Sequence, residues 1–253
     1  EQTEQTLEDF YQMCLTNKAI TEGGMEYARS VLQKAFGDQA AEQLLSKVTK
    51  ALSNRSFSFL DKTAETLEEA LVFMKPADGV MPVEDGAVLT IPMPEGSESI
   101  VHEIELVACL SKGGRNLTPE EAEEAVWGWC VGIDFTRPEK KVPGGPWEAA
   151  KVFEGSAPVS HVRPKHRTPL PAPADIWLYV NNQKRQSGRT DQMLRSPFEV
   201  IAEISKTWTL APGDIVFTGT PAGNGPCRAG DRLEGGVNGV GQIKVELVEP
   251  KKD

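Results

Sequence analysis

The sequence predicts an α+β protein in two units: a short helical unit over residues 1–69, then a β-rich unit over residues 70–253. Two observations point there. Residues 1–69 contain no proline, while all eighteen prolines lie beyond Lys75, and such a shift in chain chemistry marks two architectures. Before the shift apolar residues recur at helical spacing; after it they gather into short runs bounded by turn residues.

In chain order, the run Leu7 to Leu15 has its apolar residues at helical spacing, and Gly23-Gly24 interrupts it. In the next run Met25, Ala28, Val31, Leu32 and Ala35 share one face, with Gly37 as a C-cap and Asp38 opening the helix that follows. That third run places Ala41, Leu44, Leu45, Val48 and Leu52 on one stripe. None of the three carries the residue types of an active site, so the unit reads as a packing or docking module. In the second unit one clear helix is expected. Thr118 caps it, Pro119 takes the first helical position, Glu121 completes a capping box, and it runs to about Val126. Strands are expected over residues 99–109, 129–135, 176–180, 214–218 and 242–248. Asn181-Asn182 suits a tight hairpin, since asparagine tolerates positive φ. Residues 163–174 carry four prolines and read as a surface loop.

Composition narrows the classes of function. The 39% hydrophobic and 25% charged residues are those of an ordinary globular chain, and no stretch approaches the roughly 18 apolar residues of a membrane span. The opening Glu1-Gln2-Thr3-Glu4 is acidic where a secretory signal is basic and then apolar. A net charge of −10 argues against nucleic acid as a partner. It leaves room for a small anion, because a bound divalent cation inverts the local field. Cys14, Cys109, Cys130 and Cys227 have no paired spacing, and three histidines supply little for zinc. A cytoplasmic protein with free thiols is expected.

Four segments have residues that chemistry can use. In His102-Glu103-Ile104-Glu105-Leu106, strand alternation sends Glu103 and Glu105 to one face and Ile104 and Leu106 to the other. Side-by-side carboxylates repel unless a cation lies between them, so this is either a solvated face or a cation site. Asp134, at the end of the apolar run Val131-Gly132-Ile133, is either a turn-former or a third ligand. An oxygen-only set suits Mg²⁺ or Mn²⁺ rather than zinc. Lys151 is either a solvated charge or the partner of a developing oxyanion. Where Asp214-Ile215-Val216-Phe217 runs into Thr218-Gly219-Thr220-Pro221-Ala222-Gly223-Asn224-Gly225-Pro226, the loop is either a plain turn or a grip for a substrate carboxylate by backbone N–H groups and the Thr220 hydroxyl.

These segments, with Val72-Phe73-Met74-Lys75-Pro76, Pro146-Trp147 and Val180-Asn181 with Arg185-Gln186, together and in this order resemble the fumarylacetoacetate hydrolase family. The resemblance covers nearly all of the chain after residue 70. It implies a β-rich, roll-like catalytic domain that forms a homodimer. It also implies Mg²⁺ or Mn²⁺ on Glu103, Glu105 and Asp134, with Lys151 and Thr220 as catalytic residues. Lys75, Arg185, Gly219 and Thr220 are the implied substrate contacts. The implied activity is a metal-dependent carbon–carbon hydrolase of acylpyruvate-like 2-oxo acids, or a decarboxylase, isomerase or tautomerase of related acids. The shared step is chelation of the substrate's carboxylate and 2-oxo oxygens, which stabilises the enolate left when the neighbouring bond breaks.

The chain departs from that pattern in two places. Hydrolytic members of the family have a histidine upstream of the Lys75-Pro76 region, paired with a lid glutamate to activate water; here no histidine precedes His102. Arg137-Pro138-Glu139 stands where an Arg-Asp pair is expected. The first residues resemble something else. Phe10-Tyr11, residues 20–29, residues 31–37 and Phe57-Ser58-Phe59-Leu60 are similar to the linker region of the flagellar motor-switch protein FliG, which implies a flagellar-type protein partner for residues 1–69. The alternative to an enzyme is therefore a catalytically weakened domain on a helical docking scaffold.

Overall fold

The computed structural model describes residues 56–60, 71–142, 146–170 and 173–250. The three expected helical runs before Ser56 lie outside them. The described part is rich in sheet, with few helices. β1 (Ser56–Leu60), β2 (Leu71–Lys75), β3 (Val80–Val83), β6 (Ile104–Leu110), β7 (Val126–Ile133), β8 (Ala157–Ser160), β9 (Arg163–Pro164) and β12 (Ile215–Phe217) build the larger sheet. Its order is β2-β1-β12-β6-β7-β8-β3, with β9 beside β7. A second sheet, ordered β11-β10-β14-β15-β4, takes β4 (Leu89–Pro92), β10 (Asp175–Val180), β11 (Gln183–Arg189), β14 (Arg232–Val237) and β15 (Gly241–Val248). β5 (Ile100–His102) pairs with β13 (Gly225–Cys227).

The five expected strands form, with shifted ends. The run predicted over residues 99–109 divides at Glu103 into β5 and β6 without losing register. Glu105 faces Gly132 and Ile104 faces Ile133; beyond them Asp134 N–H bonds Glu103 O, and Val101 and Thr136 exchange two bonds. The alternation read from the sequence holds along this ribbon. Ile104, Leu106, Ala108 and Leu110 enter the core between the two sheets, against Leu178, Leu233, Val245 and Leu247 among others. Each such side chain contributes about 1.5–3 kcal/mol by leaving water. Val107, Cys109 and Cys130 point the other way, into a second apolar cluster with Phe217 and Val159. The carboxylates lie at one end of that second face.

The helix expected at Thr118 is α1 (Pro119–Ala125), closed by the anticipated capping box: Glu121 N–H donates to Thr118 Oγ1 and Thr118 N–H to Glu121. Asn181 and Asn182 make the hairpin between β10 and β11 with φ of 49° and 63°. α2 (Glu148–Lys151) is a single turn. The expectation of one clear helix needs correction, because α3 (Pro197–Thr207) is the longest helix described. Its signals were present: Ser196 and Glu199 form a second capping box, Pro197 occupies the first turn, and Val200, Ile201 and Ile204 are buried on one side. The sheet also takes in Ser56–Leu60, ahead of the expected boundary at residue 70: β1 runs parallel to β12 and antiparallel to β2.

Candidate metal centre

Glu103, Glu105 and Asp134 are brought together by the β6–β7 register, which sets Glu103 across from Asp134 and Glu105 one step along the same face. Glycine at 132 leaves room there, since a Cβ at that position would lie 2.4 Å from the Phe217 ring. All three carboxyl groups are buried, and one ligand atom from each falls within 4.8 Å of the others. Two lysines reach in from outside this ribbon. Lys75, the last residue of β2, pairs with Asp134 Oδ1 at 2.7 Å and donates to Phe135 O at 3.0 Å. Lys151, the last residue of α2, donates to Glu103 Oε2 at 2.7 Å and Asp134 Oδ2 at 2.6 Å. Its ammonium also lies 4.7 Å from the Phe73 ring centre, and that ring stacks on Trp147 of the Pro146-Trp147 motif. Lys151 and Phe73 are both buried.

Three carboxyl groups face two ammonium groups, so one negative charge is in excess. It falls on Glu105. Burial, then the charges of Asp134 and Glu103, push its pKa well above the usual glutamate range. Burial also works against an ionised Asp134, but Lys75 and Lys151 outweigh it and hold the pKa low. Burial brings Lys75 down to about 8 despite Asp134. For Lys151 the attraction of Asp134 and Glu103 overcomes burial and raises the pKa.

The loop after β12 closes the site. Gly219 N–H donates to Glu105 Oε2 at 2.6 Å, and Asn224 Nδ2 donates to Glu103 Oε1 at 2.8 Å. The Thr220 hydroxyl donates to Ile104 O and accepts from Gln186 Nε2, so its one O–H is committed to holding the loop on β6. Gln186 also bonds Pro221 O, Ile104 N–H and His102 Nδ1. His102 thus turns away from the carboxylates, as alternation requires. Arg185 is exposed on β11 and forms no ion pair or side-chain hydrogen bond among the described residues; its neighbour Gln186 is the member of that motif buried beneath the loop. A cavity of about 300 Å³ borders the loop, lined by residues 218–222 on one side and residues 187–190 on another.

Sequence reasoning missed Asn224 and the supporting role of Gln186. Both lie in segments it had singled out. The signal for Asn224 was an amide in an otherwise glycine- and proline-rich loop, but nothing in the spacing says that it meets Glu103, 121 residues away in the chain. The donor set is all oxygen and buried, and Glu105 Oε1 has no hydrogen-bond partner. These features suit a hard divalent ion.

Compared with known proteins, residues 43–248 match the family described as fumarylacetoacetate (FAA) hydrolase C-terminal. Residues 1–57 match the FliG N-terminal domain. Among curated proteins, mouse mitochondrial oxaloacetate tautomerase FAHD1 is 37% identical over 185 residues, covering 72% of this chain and 82% of that protein. Among solved structures, fumarylpyruvate hydrolase from Pseudomonas aeruginosa, in complex with Mn²⁺ and pyruvate, superposes with a TM-score of 0.74 at 36% identity, over 78% of this chain and 90% of that one. The 5-carboxymethyl-2-hydroxymuconate delta-isomerase from Mycobacterium smegmatis superposes with a TM-score of 0.70 at 25% identity, covering 77% and 76%.

Proposed function

The chain belongs to the fumarylacetoacetate hydrolase family, and on that premise we propose that it is a divalent-metal enzyme acting on a small 2-oxo acid. The observation that carries the proposal is the buried triad Glu103, Glu105 and Asp134, converging within 4.8 Å beside the Lys151 ammonium. Glu103, Glu105 and Asp134 would hold Mg²⁺ or Mn²⁺. The ion, when bound, supplies Lewis acidity toward the oxygens of a 2-oxo acid. The relative from Pseudomonas aeruginosa, solved with Mn²⁺ and pyruvate, supports both the ion and the class of substrate.

Of the two lysines, Lys151 is the one placed to carry oxyanion charge as an enolate develops, because it touches two of the three ligand carboxylates and Lys75 touches Asp134. Gly219 orients Glu105 through its N–H, and Thr220 and Gln186 hold that loop in place. Among the described residues no histidine stands at the carboxylates: the ring of His102 bonds Gln186, on the opposite face. Reactions that need proton movement and enolate stabilisation are therefore favoured over those that need an activated water. We assign tautomerisation or decarboxylation of an oxaloacetate-like acid as the first activity, with carbon–carbon hydrolysis of an acylpyruvate as the second. The oxaloacetate tautomerases among the relatives agree with this order.

The test is to follow oxaloacetate and a simple acylpyruvate spectroscopically with Mg²⁺ and then with chelator. Metal-dependent conversion of oxaloacetate faster than the acylpyruvate is expected. Conversion of neither, by protein shown to hold the ion, contradicts the proposal.

A further inference from the structure

Lys75 and Lys151 enter the same buried cluster but are held differently. Lys75 has an anchor apart from the carboxylates, donating to Phe135 O at 3.0 Å. Lys151 makes its hydrogen bonds among the described residues to Glu103 Oε2 and Asp134 Oδ2 alone. Its further contact is aromatic: the ammonium lies 4.7 Å from the centre of the Phe73 ring. That ring is itself fixed. It is buried on β2 and stacks on Trp147, immediately before α2, with 6.2 Å between ring centres and 21° between the planes.

The two oxygens that hold Lys151 belong to carboxylates that a metal ion would need. Oxygens drawn toward an ion are poorer acceptors for the ammonium, and two positive charges repel. The ring contact is of another kind. It is an attraction between the cation and the quadrupole of the ring, it takes no lone pair from a carboxylate, and it strengthens away from water. We infer that Phe73 is a positioning residue for catalysis, whose ring keeps the Lys151 ammonium in place when Glu103 and Asp134 turn to the ion. This rests on the metal-enzyme reading above and adds to it a residue that acts only through Lys151. Leucine at 73 would fill much of the same space without a π face, whereas tyrosine would keep the face, so packing and ring can be told apart.

The test begins with the full wild-type chain, its lysines labelled with ¹³C and its metal removed, followed by nuclear magnetic resonance. Protons over a ring face resonate upfield. The Lys151 ε-methylene, identified by its loss in Lys151→Met, is therefore expected upfield of the exposed lysines and is expected to stay there as Mg²⁺ saturates the site. A signal level with the exposed lysines, before or after Mg²⁺, overturns the inference without any change at Phe73. In Phe73→Leu, shown by its melting curve to fold, the upfield shift is expected to vanish. There kcat on oxaloacetate is expected to fall about five- to thirty-fold, the scale of a desolvated cation–π contact, while KM and Mn²⁺ affinity hold. Phe73→Tyr is expected to restore both the shift and the rate. Undiminished kcat in folded Phe73→Leu, or an equal loss in folded Phe73→Tyr, overturns the role of the ring alone. Conversion of neither oxaloacetate nor an acylpyruvate by ion-loaded wild type overturns the enzymatic reading and this inference with it.

Discussion

At the scale of single residues, the balance of charge in one buried cluster governs the protein. The excess negative charge is relieved at Glu105, where burial and two neighbouring carboxylates keep the proton on to higher pH than in an ordinary glutamate. An entering ion has to displace that proton. Below the raised pKa the protonated form prevails, so metal affinity is expected to weaken as pH falls, by up to about ten-fold per pH unit. Calorimetric titrations of Mg²⁺ at several pH values, in buffers of different ionisation enthalpy, read both the slope and the released proton. Lys151 has a different duty. Lys151→Met is expected to lower kcat by about 10²–10³ while leaving metal affinity unchanged or tighter, because the ammonium that competes for Glu103 Oε2 and Asp134 Oδ2 is gone. A variant with full kcat would remove Lys151 from the chemistry.

At the scale of elements, the site depends on two adjacent strands staying in register. A slip of β6 by one residue would turn Glu103 and Glu105 into the core and Ile104 out of it, parting them from Asp134 on β7. Glycine at 132 keeps that ribbon close to β12: a Cβ there would lie 2.4 Å from the Phe217 ring and 2.8 Å from Val107. Gly132→Ala is therefore expected to destabilise the fold by about 1–3 kcal/mol, read from urea unfolding; an unchanged midpoint would show that the ring moves freely. Much at this scale was legible in the sequence. The E-x-E alternation, the capping box at Thr118 and the two-asparagine turn each follow from local rules, and the structure bears all three out. α3 was equally legible, since Ser196, Pro197 and Glu199 repeat the start signals of Thr118, Pro119 and Glu121. The convergence of Lys75 and Asn224 on the carboxylates, and of Gln186 on the loop beside them, was not legible. These contacts join residues tens of positions apart, and register between distant strands leaves no periodic signal in a single sequence.

At the scale of the molecule, a long sheet carries the site at one end of one face and packs its other face on a second sheet. Among the described residues no helix is long and apolar enough to cross a membrane. We propose that the catalytic unit begins ahead of Ser56 rather than at residue 70, because β1 bonds both β12 and β2, and Lys75 leaves β2 for Asp134. The family match beginning at residue 43 supports this. A chain that starts at residue 70 is expected to melt lower or without cooperativity, whereas one that starts at residue 43 melts like the full chain. Equal melting of the two would restore the boundary to residue 70. The proposed activity depends on a bound ion, and the most direct measurement is Mn²⁺ titration of the metal-stripped full chain beside its Glu105→Ala variant. One site per chain in the wild type, displaced by Mg²⁺ and lost in the variant, is the expected result. Undiminished Mn²⁺ binding in the variant would contradict the triad as the metal centre.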